Sequence, residues 1–177
     1  MIMDFVEANP YETVMEPVSH FECITEFKPK TVQIGNKLWM AENLAYDDGS
    51  EGIYHNQNNN EYYYTWDAAK RVAKKLGWDL PSDTDWDKAC EECGGIKNDE
   101  EIWYAYNNCY LKEKLNLKLN GLYNYCFNRI GSHGSFWSSS ESSISSVWYR
   151  YFDTSSSVTR YSINKTSGFS VRLVKDI

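Results

Sequence analysis

Val147-Trp148-Tyr149-Arg150-Tyr151-Phe152-Asp153, then Thr154-Ser155-Ser156-Ser157, then Val158-Thr159-Arg160-Tyr161-Ser162-Ile163 is the stretch on which the fold turns. Successive side chains of a strand point to opposite faces, so Trp148, Arg150 and Phe152 share one side and Tyr149, Tyr151 and Asp153 the other. In the second run Thr159, Tyr161 and Ile163 share one side. β-branched and aromatic residues suit strands, and the Ser-rich link between the runs suits a turn. These residues predict an antiparallel hairpin. Trp148 and Phe152 are expected to pack inward, with Tyr149, Tyr151, Asp153, Thr159, Tyr161 and Ile163 outward.

Residues 138 to 167 around this hairpin hold 12 Ser. The interposed aromatic and β-branched residues exclude a flexible linker. Tyr set among Ser combines rigid, amphipathic contact area with small, adaptable hydrogen-bonders, a composition suited to recognition. The candidate ligand-binding residues are therefore the outward hairpin positions with the adjoining hydroxyl residues. Those are Ser142, Ser143, Ser145 and Ser146 before the hairpin, Ser155 and Ser156 in its link, and Ser162, Thr166 and Ser167 towards its end.

Working towards the N-terminus, Leu115 to Gly121 alternates as a half-buried strand should, and Phe136-Trp137 and Phe169 to Val174 suggest further strands. Two helices precede them. Thr65 is placed to cap a helix running to Leu76, with Trp66, Ala69, Ala73 and Leu76 at helical spacing and Gly77 closing it. Ser82 with Asp85 three residues on reads as a capping box opening a second helix. Trp86, Ala89, Cys90 and Cys93 form its apolar stripe, and Gly94-Gly95 end it. Earlier, Thr31 to Ile34 and Lys37 to Met40 flank Gly35-Asn36 as a hairpin. Pro10, Pro17 and Pro29 break up residues 1–29, which read as an N-terminal arm ahead of one domain over residues 30–177. Helices early and strands late predict an α+β domain, two helices flanking small antiparallel sheets.

Composition narrows the function. The chain has 177 residues, 42% hydrophobic and 24% charged, enough for one domain with a true core. A net charge of −7 and no basic cluster argue against a nucleic-acid partner, because a polyanion needs Lys and Arg to replace its counterions. No apolar run approaches the ~18 residues that span a bilayer, so membrane insertion is not expected. The N-terminus carries no secretory leader pattern, which predicts synthesis in the cytoplasm with its five Cys reduced. Cys90 and Cys93 have zinc-ligand spacing without a second pair to complete four ligands. Asp47, Asp48 and Glu51 read as an acidic surface loop rather than a calcium site. No metal or cofactor is expected.

From Thr31 onward the chain resembles the Fibrobacter succinogenes major paralogous domain. The phrases that carry this are Val32-Gln33-Ile34-Gly35-Asn36-Lys37-Leu38-Trp39-Met40-Ala41-Glu42-Asn43-Leu44, Tyr64-Thr65-Trp66-Asp67-Ala68-Ala69 and Leu80-Pro81-Ser82-Asp83-Thr84-Asp85-Trp86. Ile130 to Glu141 and Gly168 to Val174 follow in order. The resemblance implies a C-type-lectin-like fold of the branch with formylglycine-generating-enzyme-like domains. It extends to variable proteins of diversity-generating retroelements, many of them phage-encoded, in which adenine-directed mutagenesis rewrites a C-terminal repeat. Randomised Asn codons exclude Lys, Glu, Gln, Met and Trp, and every candidate residue named above lies in the permitted set. The implied function is receptor recognition: a protein or surface ligand of a host cell, bound by a virion-associated protein.

Enzyme chemistry fares poorly in the same comparison. Formylglycine-generating enzymes use paired Cys in their C-terminal half, whereas residues 127–177 here contain none. His133, among many hydroxyls, invites a nucleophile–base reading, but the phrase around it reads as a turn entering a core strand. The chain is expected to bind rather than to catalyse.

Overall fold

The computed structural model describes residues 27–98 and 105–177. The proposed arm over residues 1–29 lies almost wholly outside them, as do His20 and Cys23. In chain order the elements begin with β1 (Thr31–Ile34), β2 (Lys37–Met40), β3 (Ile53–Asn56), β4 (Glu61–Tyr64), α1 (Trp66–Leu76) and α2 (Asp83–Glu92). Next are β5 (Ile96–Asn98), β6 (Ala105–Asn107), α3 (Leu111–Lys114), β7 (Leu122–Asn124) and β8 (Cys126–Asn128). β9 (Gly134–Glu141), β10 (Ser146–Phe152), β11 (Val158–Asn164) and β12 (Val174–Asp176) complete the chain. The main sheet has the order β5-β6-β11-β10-β9, a second has β1-β2-β12, and β3-β4 and β7-β8 are separate hairpins. The domain is α+β, with the predicted pair of helices joined by a one-turn third.

The helix signals act as the chemistry dictates. The Thr65 side chain accepts the Ala68 N–H, Gly77 closes α1 in the left-handed region, and Ser82 with Asp85 forms the complete capping box of α2. Each helix is then pinned to β9. The Trp86 indole N–H donates to the Trp137 carbonyl at 3.1 Å, and that of Trp66 to the Ser138 carbonyl at 2.8 Å. Burying an indole is favourable only with its N–H satisfied, so these bonds fix both helix positions at once.

The main sheet divides the core in two. Phe136 and Phe152 join Trp39, Trp86 and Leu115 on the α2 side, while Trp137 and Val147 join Trp66, Val72 and Phe169 on the α1 side. Arg150 also faces α2, fully buried, and reaches Asp83 and Asp87. A charge there is tolerable only because two carboxylates meet it. The α1-side cluster covers the Val147 end of its sheet face and leaves the Tyr151 end to β7 and β8.

Four expectations need correction. Leu115 to Gly121 is no strand: Leu115 caps the end of α3, Asn116 turns left-handed at φ 49°, and the N–H groups of residues 115–117 return to α3 carbonyls. Leu115 and Leu117 are buried as the alternation required, but without a ladder. Phe169 to Val174 is likewise buried on every side and held by isolated bridges to Tyr64 and Phe136 before β12 begins. Trp148 is half-buried rather than inward, its ring covered by the Arg160 guanidinium 3.5 Å away. Ser146 and Ser162 share the Trp148 side rather than the tyrosine side.

Candidate functional site

The register of β10 on β11 sets Tyr149 opposite Tyr161, Tyr151 opposite Thr159 and Val147 opposite Ile163. Directly opposed residues share a face, so the three tyrosines form one half-buried surface. Tyr161 lies 5.9 Å from Tyr149 and 5.8 Å, edge-on, from Tyr151. Their depths differ. Tyr149 leans on Phe169 at 4.7 Å, and burial pushes its phenol up to about 12. Tyr151 is also raised, by burial first and by the nearby Asp153 carboxylate second.

A second wall faces these rings, made by the β7–β8 hairpin and the loop 129–133. The loop is stitched on both sides. Gly121 donates to the His133 carbonyl at 2.6 Å and Gly131 to that of Leu119 at 2.7 Å, while Ser132 and His133 both donate to the Arg129 carbonyl. Arg129 is held left-handed at φ 62°. Between the walls lies a cavity of about 400 Å³, lined by Leu122, Asn124, Asn128, Arg129, His133, Ser135, Tyr149, Tyr151 and Ile163. Tyr125, between β7 and β8, and Ile130, in the loop, carry exposed large apolar side chains on the segments that form this wall. Exposed apolar groups gathered at a concave site mark a contact surface.

His133 orders this site. Its Nε2 lies 3.1 Å from Arg129 Nη1 and its Nδ1 3.2 Å from the Tyr151 hydroxyl. A guanidinium can only donate, so Nε2 accepts and the neutral ring carries its proton on Nδ1. The Tyr151 oxygen then accepts from Nδ1, which leaves its own O–H to donate towards the cavity.

A family model, the Fibrobacter succinogenes major domain, matches residues 32–175. The chain belongs to that family. No curated protein and no solved structure matches it.

Within this Fibrobacter major domain the candidate residues do not form one patch. Tyr149, Tyr151, Thr159, Tyr161 and Ile163 share the tyrosine face. Ser142, Ser143 and Ser145 lie in the β9–β10 turn, with Ser146 starting β10 beside them and Thr166 and Ser167 just past β11. Asp153, Ser155 and Ser156 lie in the β10–β11 turn. A strand of seven residues separates the two turns by roughly 20 Å. Ser167 is buried and cannot meet a ligand, which corrects its assignment. Several turn groups serve the backbone: Ser143 Oγ accepts the Ser146 N–H, Asp153 Oδ1 that of Ser155, and Ser155 Oγ that of Ser157. The Ser155 contact holds the Asp153 carboxyl below its usual range.

The reading from residues alone passed over Arg129, Asn124 and Asn128 and took His133 as a turn residue. No periodicity marks this loop; the available signal was an arginine beside Gly131 in a chain with few arginines. A larger groove, about 660 Å³, lies between the β1–β2 turn and α2. Three of its charged groups are already engaged, Lys37 with Asp85 and Asp176, and Glu91 with the Tyr106 hydroxyl. Among the described residues no three His, Cys, Asp or Glu side chains group as metal ligands, and no helix is long and apolar enough to cross a membrane.

Proposed function

We propose that this domain is a ligand-binding protein of C-type-lectin-like fold that holds its ligand between Tyr149, Tyr151 and Tyr161 and the loop 129–133. The observation that carries the reading is convergence: the half-exposed rings of Tyr149 and Tyr151 and one arginine line a single cavity of about 400 Å³, with Tyr161 packed beside both rings. Aromatic rings supply contact area at little conformational cost, and a stitched wall means that little ordering remains to be done on binding. A recognition role rather than a catalytic one is supported by His133, whose ring nitrogens engage Arg129 and Tyr151 and no serine or carboxylate among the described residues.

The finer reading is receptor recognition on a host cell by a variable, phage-encoded protein of a diversity-generating retroelement. Its support is that Ser143, Ser145, Ser155, Ser156 and Thr166 are exposed, and residues at such positions can change without repacking the core. An adhesion module with an invariant surface is the second reading. It is favoured by the turn bonds of Ser143, Asp153 and Ser155, which a randomised codon would not retain. The coding DNA separates the two. A neighbouring template differing from codons 138–167 only at adenines is the expected finding, and its absence selects the invariant module.

Binding is tested by soaking crystals with a library of small aromatic and polar fragments. Fragments are expected to gather against Tyr151 and Tyr161; clustering beside Lys37 and Glu92 instead would overturn the site. Stability should sort the three tyrosines by depth. Tyr149→Ala is expected to cost about 2 kcal/mol, because its ring packs on Phe169. Tyr151→Ala and Tyr161→Ala should each cost under about 1 kcal/mol while abolishing fragment binding. Urea titration of the three variants reads this directly.

A further inference from the structure

The chain has five arginines, and four are committed. Arg71 forms a two-point pair with Asp48, Arg150 reaches Asp83 and Asp87, Arg160 meets Asp83, and Arg172 donates to Asn43 and to three backbone carbonyls. The fifth is Arg129. It pairs with no carboxylate among the described residues, and its one polar partner is a neutral imidazole nitrogen. In a chain of net charge −7, acidic side chains outnumber basic ones, so an arginine left without one is conspicuous. Its backbone is left-handed, a conformation costly for a residue with a Cβ and maintained here by the bonds that fix the loop. Such strain, held in place beside a cavity, aims the side chain.

We infer that Arg129 is the anion-reading group of the tyrosine cavity, and that the ligand presents a single carboxylate joined to an apolar or aromatic body. This rests on the proposed binding site and adds the class of ligand. A guanidinium offers a planar fork that matches a carboxylate in two parallel hydrogen bonds. His133 Nε2 occupies Nη1 from one side and leaves Nη2 and Nε to the ligand. The body of the ligand then lies on Tyr151 and Tyr161, whose rings meet edge-on at 5.8 Å. A dianion such as a phosphate monoester suits the site less. It calls for more than one cation, and the carboxylate of Asp153 is near enough to Tyr151 to raise its phenol.

The test uses N-acetyl-phenylalanine and its carboxamide as probes, followed by amide and tyrosine-ring NMR shifts of the full chain. Both probes are expected to shift Tyr151 and Tyr161, with the acid bound about tenfold more tightly and its advantage shrinking with added salt. Arg129→Asn, which retains a residue at ease in the left-handed region, should abolish the difference between acid and amide, the acid losing about tenfold relative to the amide. Arg129→Lys should restore part of the preference, as a point charge without the fork. Equal binding of acid and amide, or an acid preference that survives Arg129→Asn, overturns the anion reading while the tyrosine site stands. Absence of shifts at the tyrosines with either probe, up to about 10 mM, removes the site itself and this inference with it.

Discussion

Arg172→Met should destabilise the domain by about 3–5 kcal/mol and lower its melting temperature by about 10 °C or more. The side chain is buried, and burial pulls its guanidinium down to about 10. It is retained because of what it satisfies. Nε donates to the Asn43 side chain at 2.8 Å, Nη1 to the carbonyls of Met40 and Leu115 at 2.9 and 2.8 Å, and Nη2 to that of Asn116 at 3.1 Å. Those acceptors belong to the end of β2, the segment after it, and the exit from α3. Methionine fills the space of the stem but strands the buried carbonyls, each of which costs about 1–3 kcal/mol when left bare. Arg172→Lys should recover only a fraction, since an ammonium cannot reach acceptors spread around a planar fork. Calorimetry of the three proteins decides it. A melting temperature for Arg172→Met within a few degrees of the parent would mean that water takes over the carbonyls.

The same arginine marks where the sequence stops being legible. Phe169 to Val174 reads as a strand because apolar residues flank Arg172, yet the segment is buried on both sides and its backbone bonds go to scattered partners, the Val171 and Leu173 carbonyls accepting from Leu44 and Met40. Apolar pattern reports burial, and where burial is complete it no longer reports which backbone bonds are made. Leu115 and Leu117 teach the same point: the alternation named the buried residues, while a left-handed Asn116 decided that they would not join a ladder. Local signals fared better. The caps at Thr65 and Ser82 and the shared face of Tyr149, Tyr151 and Tyr161 depend on residues near in sequence or on a period of two, and all appear as read. Half of the candidate site was legible for that reason. The other wall was not, because Arg129 and His133 reach the tyrosines through tertiary packing of a loop that has no period of its own. Trp148 shows a further limit, since its ring is covered by Arg160 from the neighbouring strand rather than by the core.

That loop can be attacked without touching any residue that lines the cavity. Gly121→Ala should disorder the wall opposite the tyrosines and cost about 2–4 kcal/mol. Gly121 adopts φ +73°, where a Cβ is strained whatever the space around it. There is also no space. A Cβ there would collide with the Asn128 carbonyl oxygen and press on the backbone at Arg129 and Ile130, 2.9 Å away in each case. Backbone cannot swing aside as a flexible side chain would, so the chain from Asn128 to Ile130 must shift as a unit. The Gly121 N–H bond to the His133 carbonyl would open with it. Arg129 and His133 would then leave Tyr151, while the helices, β9 and the two core clusters stay in place. The expected signature is therefore split. Amide hydrogen exchange should rise sharply over residues 121–133 and stay near the parent values in α1, α2 and β9. Probe binding should fall for acid and amide alike, unlike Arg129→Asn, which removes only the preference for the acid. Uniform loss of protection across the domain would show instead that this wall is part of the folding core rather than a separable lining.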